Sequence, residues 1–191
     1  MKTRIFVSAL LIGLFAVVFT SCKSKQSAAG KGSKELTIPC GEYGKSDDNY
    51  FRADASAESM NLQASREKAL TNARQRLAGL ISTKVKAVND RYMQDVTVGK
   101  NSEYEEKYES LTREVINQQL VGVKVSCEKP MQTSDGKYQT FIALELKKED
   151  LLKGIGDKIT NNQKLKVDYD KMKYEKIFNE EMKKLEDEQN R

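Results

Sequence analysis

Between Val121 and Leu146 the chain alternates apolar and polar residues on either side of an Asp135-Gly136 pair, and this narrows the fold more than any other feature. Val121, Val123, Val125 and Cys127 alternate with Gly122, Lys124 and Ser126, and Tyr138, Thr140, Ile142, Leu144 and Leu146 keep the same period of two. That period lines one face of a strand. Asp-Gly signals a tight two-residue hairpin turn. Centred there, the hairpin pairs Cys127 with Leu144 and Val125 with Leu146, which puts both rows on one face and points Cys127 inward. Lys129 beside Pro130 interrupts the first row, so a bulge or the end of pairing is expected there. Phe141 and Ala143 mark the second face, which needs a cover of its own.

The cover for the first face is written upstream. Ala69, Ala73, Leu77, Leu80, Ile81, Lys84, Val85 and Val88 recur at spacings of three and four, which predicts a helix from about 62 to 92. Its two alanines allow close approach to a sheet. Asn49 to Ala55 reads as a first strand, with Tyr50 and Arg52 on one face and Phe51 on the other. Tyr104, Tyr108, Leu111 and Val115 share a face of a second helix. Leu151, Leu152, Ile155 and Ile159 form a short amphipathic helix that could cover the Phe141 and Ala143 face. Met172, Ile177, Phe178, Met182 and Leu185 keep helical spacing in a last segment from Val167 to about Gln189, with no sustained heptads. The expected class is α+β: a small antiparallel sheet (one strand, a long helix, then a hairpin) packed against helices, with an added C-terminal helix. The domain is expected over residues 47–160 and the C-terminal amphipathic helix over 161–191.

The start of the chain is of another kind. Lys2 and Arg4 precede an apolar run from Ile5 to Phe19, and Thr20, Ser21 and Cys22 then lead into polar sequence. This is the layout of a secretory signal, and the run is shorter than the ~20 residues of a spanning helix. Val18-Phe19-Thr20-Ser21-Cys22 resembles a lipobox, with Phe19 where leucine is usual, as in the relaxed lipoboxes of Bacteroidetes-type bacteria. The resemblance implies a signal peptide over 1–21 and acyl chains on Cys22, of which two or more anchor stably. Lys23 stands where an Asp would signal inner-membrane retention, and no acidic run follows. The expected address is the periplasmic face of the outer membrane. Residues 22–46, rich in Ser, Ala, Gly and Lys, read as a flexible tether.

Composition excludes several kinds of chemistry. The chain has no His, which removes Ser-His-Asp and Cys-His catalysis and the commonest metal ligand. Loss of Lys2 and Arg4 takes the net charge from +5 to +3, and the tether's lysines carry most of that, so no basic stripe suits nucleic acid. Gly154-Ile155-Gly156 lacks the third glycine and the strand of a dinucleotide loop. Asp47-Asp48 and Asp168-Tyr169-Asp170 lack the ligand count of a calcium loop. No catalytic residue, metal site or cofactor is expected.

What is left to read concerns crosslinking and contact. Beyond Cys22 the chain has two cysteines, Cys40 and Cys127, which an oxidising compartment could join. Such a bridge is worth about 4 kcal/mol in the chain-entropy account; the alternative is two separate thiols, Cys127 being a small core residue. Tyr104 and Tyr108 are a candidate recognition face, or core. Met172, Ile177, Phe178, Met182 and Leu185 are a candidate docking face for a partner, or the helix folds back on its own domain.

The order of strand, Ala-striped helix and hairpin resembles the LPP-twenty lipoprotein family, related to the N-terminal domain of flagellar assembly protein T. Ala69, Ala73, Leu77, Ala78 and Ile81 carry the resemblance in the helix. Gly122, Val123, Val125, Asp135, Gly136, Tyr138 and Leu144 carry it in the hairpin, within roughly 50–152. The chain departs by inserting the segment around Tyr104 to Val115 and by adding the last helix. The family implies an envelope lipoprotein and no catalytic residues. The expected function is a non-catalytic envelope lipoprotein that binds a partner, either another envelope protein or the cell wall. A homo-oligomeric structural lipoprotein and a small-ligand carrier with a pocket between helix and sheet are the alternatives.

Overall fold

A computed structural model describes residues 36–95, 102–167 and 169–189. Thr37–Arg191 is one compact α+β unit. The signal segment, Cys22, most of the expected tether and Asp168 lie outside the described residues.

Strand β1 (Tyr50–Ser59) leads into helix α1 (Leu62–Asp95). Helix α2 (Ser102–Val121), the hairpin β2 (Lys124–Gln132) and β3 (Tyr138–Lys147), helix α3 (Lys148–Thr160) and helix α4 (Lys171–Gln189) follow. The sheet is antiparallel in the order β1-β3-β2, so the longest apolar strand is central and the strand carrying Pro130 lies at an edge. The β1 pairing runs in register from Tyr50 with Lys147 to Ser59 with Tyr138.

The hairpin corrects the expected register. Pairing brings Gln132 opposite Tyr138 and Cys127 opposite Ala143, while Val125 faces Leu144. The loop has three residues rather than two: Gly136 N–H donates to Thr133 O (3.0 Å), Thr133 N–H donates to Lys137 O (2.9 Å), and Gly136 has φ 82°. That is a turn closed by a left-handed residue, a conformation glycine adopts at little cost. The pairing irregularity falls between Val125 and Cys127, whereas Lys129 and Pro130 pair with Phe141 and Thr140. One extra residue reverses every side chain beyond it. Cys127 therefore stands on the second face of the sheet, and Val125 on the first.

Helix α1 begins with Asn61 Oδ1 accepting from Ala64 N–H (3.1 Å). Its 34 residues span about 50 Å, longer than the sheet is tall, and it divides its work accordingly. Ala69, Ala73 and Leu77 are fully buried in one core with Phe51, Ala53, Ala55, Ile142 and Leu144. Ser65 and Thr140 hydroxyls meet at 2.6 Å, and Arg66 pairs with Glu128 across the same face. The second half, Lys84 to Tyr92, meets α2 and α4 through Asn89–Thr112, Arg91–Glu181 and Lys84–Glu188. Each fully buried aliphatic side chain here contributes about 1.5–3 kcal/mol.

The second face is not covered by α3. Helix α3 packs against α2, where Gly154 lets the helices close: a Cβ there would lie 3.0 Å from Val115 Cγ1. The cover comes from residues 37–46, so the tether ends earlier than expected and this stretch belongs to the compact unit. Nor is α4 an appendage, because Tyr174, Ile177, Phe178, Met182 and Leu185 lie in the common core.

Candidate functional site

The structure joins Cys40 and Cys127 in a disulfide with Cα atoms 5.6 Å apart. Cys40 has φ 61°, in the left-handed region that non-glycine residues rarely enter. A short 3-10 turn at Glu42–Gly44 follows, and Gly44 comes so close to the Asp54 side chain that a Cβ would meet it at 2.5 Å. Ser46 Oγ accepts from Arg52 N–H (2.9 Å), and Ser46 N–H donates to Gln189 Oε1 (2.7 Å). Arg52 pairs with Asp47 and, at 3.1 Å, with Glu145. Burial alone would raise the Asp47 carboxyl. The hydrogen bonds from Arg52, Asn49 N–H and Tyr50 N–H outweigh it and hold the group below the ordinary aspartate range.

The candidate contact residues are mostly interior, which selects the core alternative over the recognition face for Tyr108 and the folded-back alternative for the last helix. Tyr108 is 1% exposed and Tyr104 is half-buried; Ile177, Phe178, Met182 and Leu185 are buried, and of this group Met172 alone is open, at 82%. Tyr92, Tyr104, Tyr108, Tyr169 and Tyr174 form a chain of ring contacts with centroids 5.3–6.3 Å apart. Tyr174 Oη donates to Asn89 Oδ1 (3.0 Å), and Tyr92 Oη accepts from Asp170 N–H (2.8 Å). Burial pushes the Tyr108, Tyr169 and Tyr174 phenols well above their ordinary range, and their mutual repulsion adds to it, so all three stay protonated near neutral pH. This cluster fastens α1, α2 and α4 together.

Among the clefts that the described residues form, two carry charged linings wide enough for a small ligand. One of about 410 Å³ lies between α1 and α2 and is lined by Asn89, Asp90, Met93, Gln94, Glu105, Tyr108 and Glu109. Its Asp90 and Glu109 both reach Lys86, each at 3.4 Å. The other, of about 380 Å³, lies between the end of β3, the start of α3 and α4. Asp48, Asn49, Lys147, Lys148, Glu149, Leu152, Phe178, Asn179, Met182 and Lys183 line it.

Lys148 sets the second cleft apart. It is 4% exposed, and its ammonium has no hydrogen-bond partner and stands 5.5 Å over the Phe51 ring. Its backbone N–H donates to Asn49 O (2.8 Å), which pins the first residue of α3 beside β1. The N-cap residue Lys147 gives α3 no side-chain cap and pairs instead with Glu149 at 2.6 Å. Burial pulls the Lys148 ammonium below the ordinary lysine range, against the opposing pull of Asp47, Asp48 and Glu186. A hydrogen bond to Asp48 raises Glu186 above the ordinary glutamate range.

Lys148 was legible and was missed. It continues the inward row Thr140, Ile142, Leu144, Leu146, and it stands on the same helical stripe as Leu151, Leu152, Ile155 and Ile159. Both periods point it inward, but its charge hides it between the polar neighbours Lys147, Glu149 and Asp150. Asn89 likewise sits on the α1 stripe one residue after Val88. Among the described residues no helix is long and apolar enough to cross a membrane, and no group of three or more His, Cys, Asp or Glu could hold a metal. No family model matches the chain, and no curated protein matches it.

Proposed function

We propose that the chain is a cell-envelope lipoprotein, anchored through Cys22 to the periplasmic face of the outer membrane. Its folded unit acts there as a non-catalytic binding module for an envelope or cell-wall partner. The observation that carries this reading is the pairing of a lipobox-like Cys22 with a Cys40–Cys127 disulfide only eighteen residues further on. Disulfides persist in oxidising compartments, so the crosslink supports export, and export is what the N-terminal segment would direct. The resemblance to the LPP-twenty family supports the same address.

The filled interior bears on the alternatives. The space between α1 and the sheet is occupied by fully buried Ala69, Ala73, Leu77 and Ile81, which counts against a carrier pocket in that place. The apolar face of α4 is spent on its own core, which counts against assembly through that helix.

The test is metabolic labelling of the full chain with a fatty-acid analogue in a diderm bacterium, alongside Cys22→Ala. Label and membrane retention are both expected to disappear in the variant, with Cys40 and Cys127 resistant to alkylation until reduced. A Cys22→Ala protein that still takes up label, or free thiols at Cys40 and Cys127 in cells, would overturn the reading.

A further inference from the structure

We propose that the cleft between α3 and α4 binds a small zwitterion: a free amino acid or dipeptide with an apolar side chain. The inference concerns the folded unit alone and does not depend on lipid anchoring.

The argument starts from an unmet charge. A buried ammonium without a hydrogen-bond partner is costly even over an aromatic ring, and Lys148 holds one at the wall of a cleft large enough for a small ligand. The uncapped start of α3 opens on the same cleft, and a helix N-terminus favours an anion. A carboxylate there would meet the helix end, and Lys148 on its flexible four-carbon stem could turn to it.

The surroundings also call for a positive group. Asp48 lines the cleft, and a ligand ammonium there would meet its carboxyl group. Lys147 and Glu149 cancel each other at 2.6 Å. Lys183 makes no ion pair among the described residues, and Arg52 is already held by Asp47 and Glu145. The lining thus offers both signs, Lys148 and Lys183 beside Asp48, and a ligand that carries both charges meets each of them. Leu152, Phe178 and Met182 supply an apolar wall for its side chain.

The test uses the purified full chain in detergent and follows backbone amide shifts during titration. The probes are L-leucine, the dipeptide Leu-Leu, 4-methylpentanoate (no amine) and leucinamide (no carboxylate). Saturable shifts centred on Lys148 to Leu152 are expected with leucine or with the dipeptide, and which of the two binds more tightly identifies the source. Each single-charge analogue should bind about tenfold more weakly, the loss expected for one charged contact. Lys148→Met should weaken the zwitterion by a similar factor while Tm holds or rises, because it removes a buried unpartnered charge and keeps the stem's volume. Asp48→Asn should weaken leucine but leave 4-methylpentanoate unchanged. A lack of saturable shifts with both zwitterions, equal binding by the single-charge analogues, or undiminished binding by Lys148→Met would each overturn the proposal.

Discussion

One face of the sheet meets α1 through interlocked aliphatic side chains, and the other meets residues 37–46 through a disulfide and a set of polar contacts. On the first face Phe51, Leu77, Ile81 and Leu144 are 0% exposed. Their contribution is spread over many contacts and depends little on pH or redox state. On the second face few apolar groups are available. Ala143 is small, and Arg52, Asp54 and Glu145 are charged. The cover is therefore held by Cys40–Cys127, by Arg52 between Asp47 and Glu145, and by Ser46. A short segment with few buried side chains cannot hold itself down by burial, so it relies on a crosslink and on ion pairs. Its stability should be separable from that of the α1 face.

That separation can be tested by four substitutions and by acid. The largest effect is expected from Leu77→Ala, which empties a fully buried site under the sheet. It should cost about 2–5 kcal/mol in urea unfolding and lower the whole unit together. Cys40→Ser should cost about 2–4 kcal/mol, with part of the loss confined to faster amide exchange over 37–46. It also leaves a residue at φ 61° with no crosslink to hold it there. If α1 and β3 amides accelerate equally, the two faces are one cooperative unit and the contrast fails.

Arg52→Met should cost about 1–3 kcal/mol, because a guanidinium only 18% exposed leaves Asp47 and Glu145 without their common partner. Its companion is acid. Asp47 has a folded pKa below the ordinary 3.8, so its contribution is complete above that value and disappears as pH falls through the folded one. Amides of 37–46 should therefore open below about pH 4 before those of α1, with the order read by hydrogen exchange; simultaneous opening would contradict it. The smallest effect is expected on the first face itself, where Arg66→Ala removes a half-exposed pair with Glu128 and should leave the thermal unfolding midpoint nearly unchanged.

Much of the scaffold could be read in advance because it rests on local periodicity. The α1 stripe, the β1 strand and the α4 spacing each repeat over enough residues to override noise, and each element appears where the pattern put it. The candidate contact residues did not survive in the same way. Tyr104, Tyr108, Ile177 and Phe178 carry the same signal whether a face meets a partner or its own domain. Spacing gives a face, and only packing says what lies against it.

The chain's own pattern determined the class, the order of elements and the apolar face of each helix, since these follow from periods of two and 3.6 residues that the backbone imposes. Tertiary structure alone decided three things. A bulge before Cys127 turned that residue to the second face, a choice made by the three-residue loop at Gly136 and the pairing it enforces. Residues 37–46, which look like linker, became a cover because a cysteine distant in sequence lay within 5.6 Å of Cys40. Lys148 became a buried cation beside Asp48 and Glu186 because β3 runs directly into α3 and α4 returns across the junction. In each case the deciding contact joins residues far apart in the chain, and no local period carries that information.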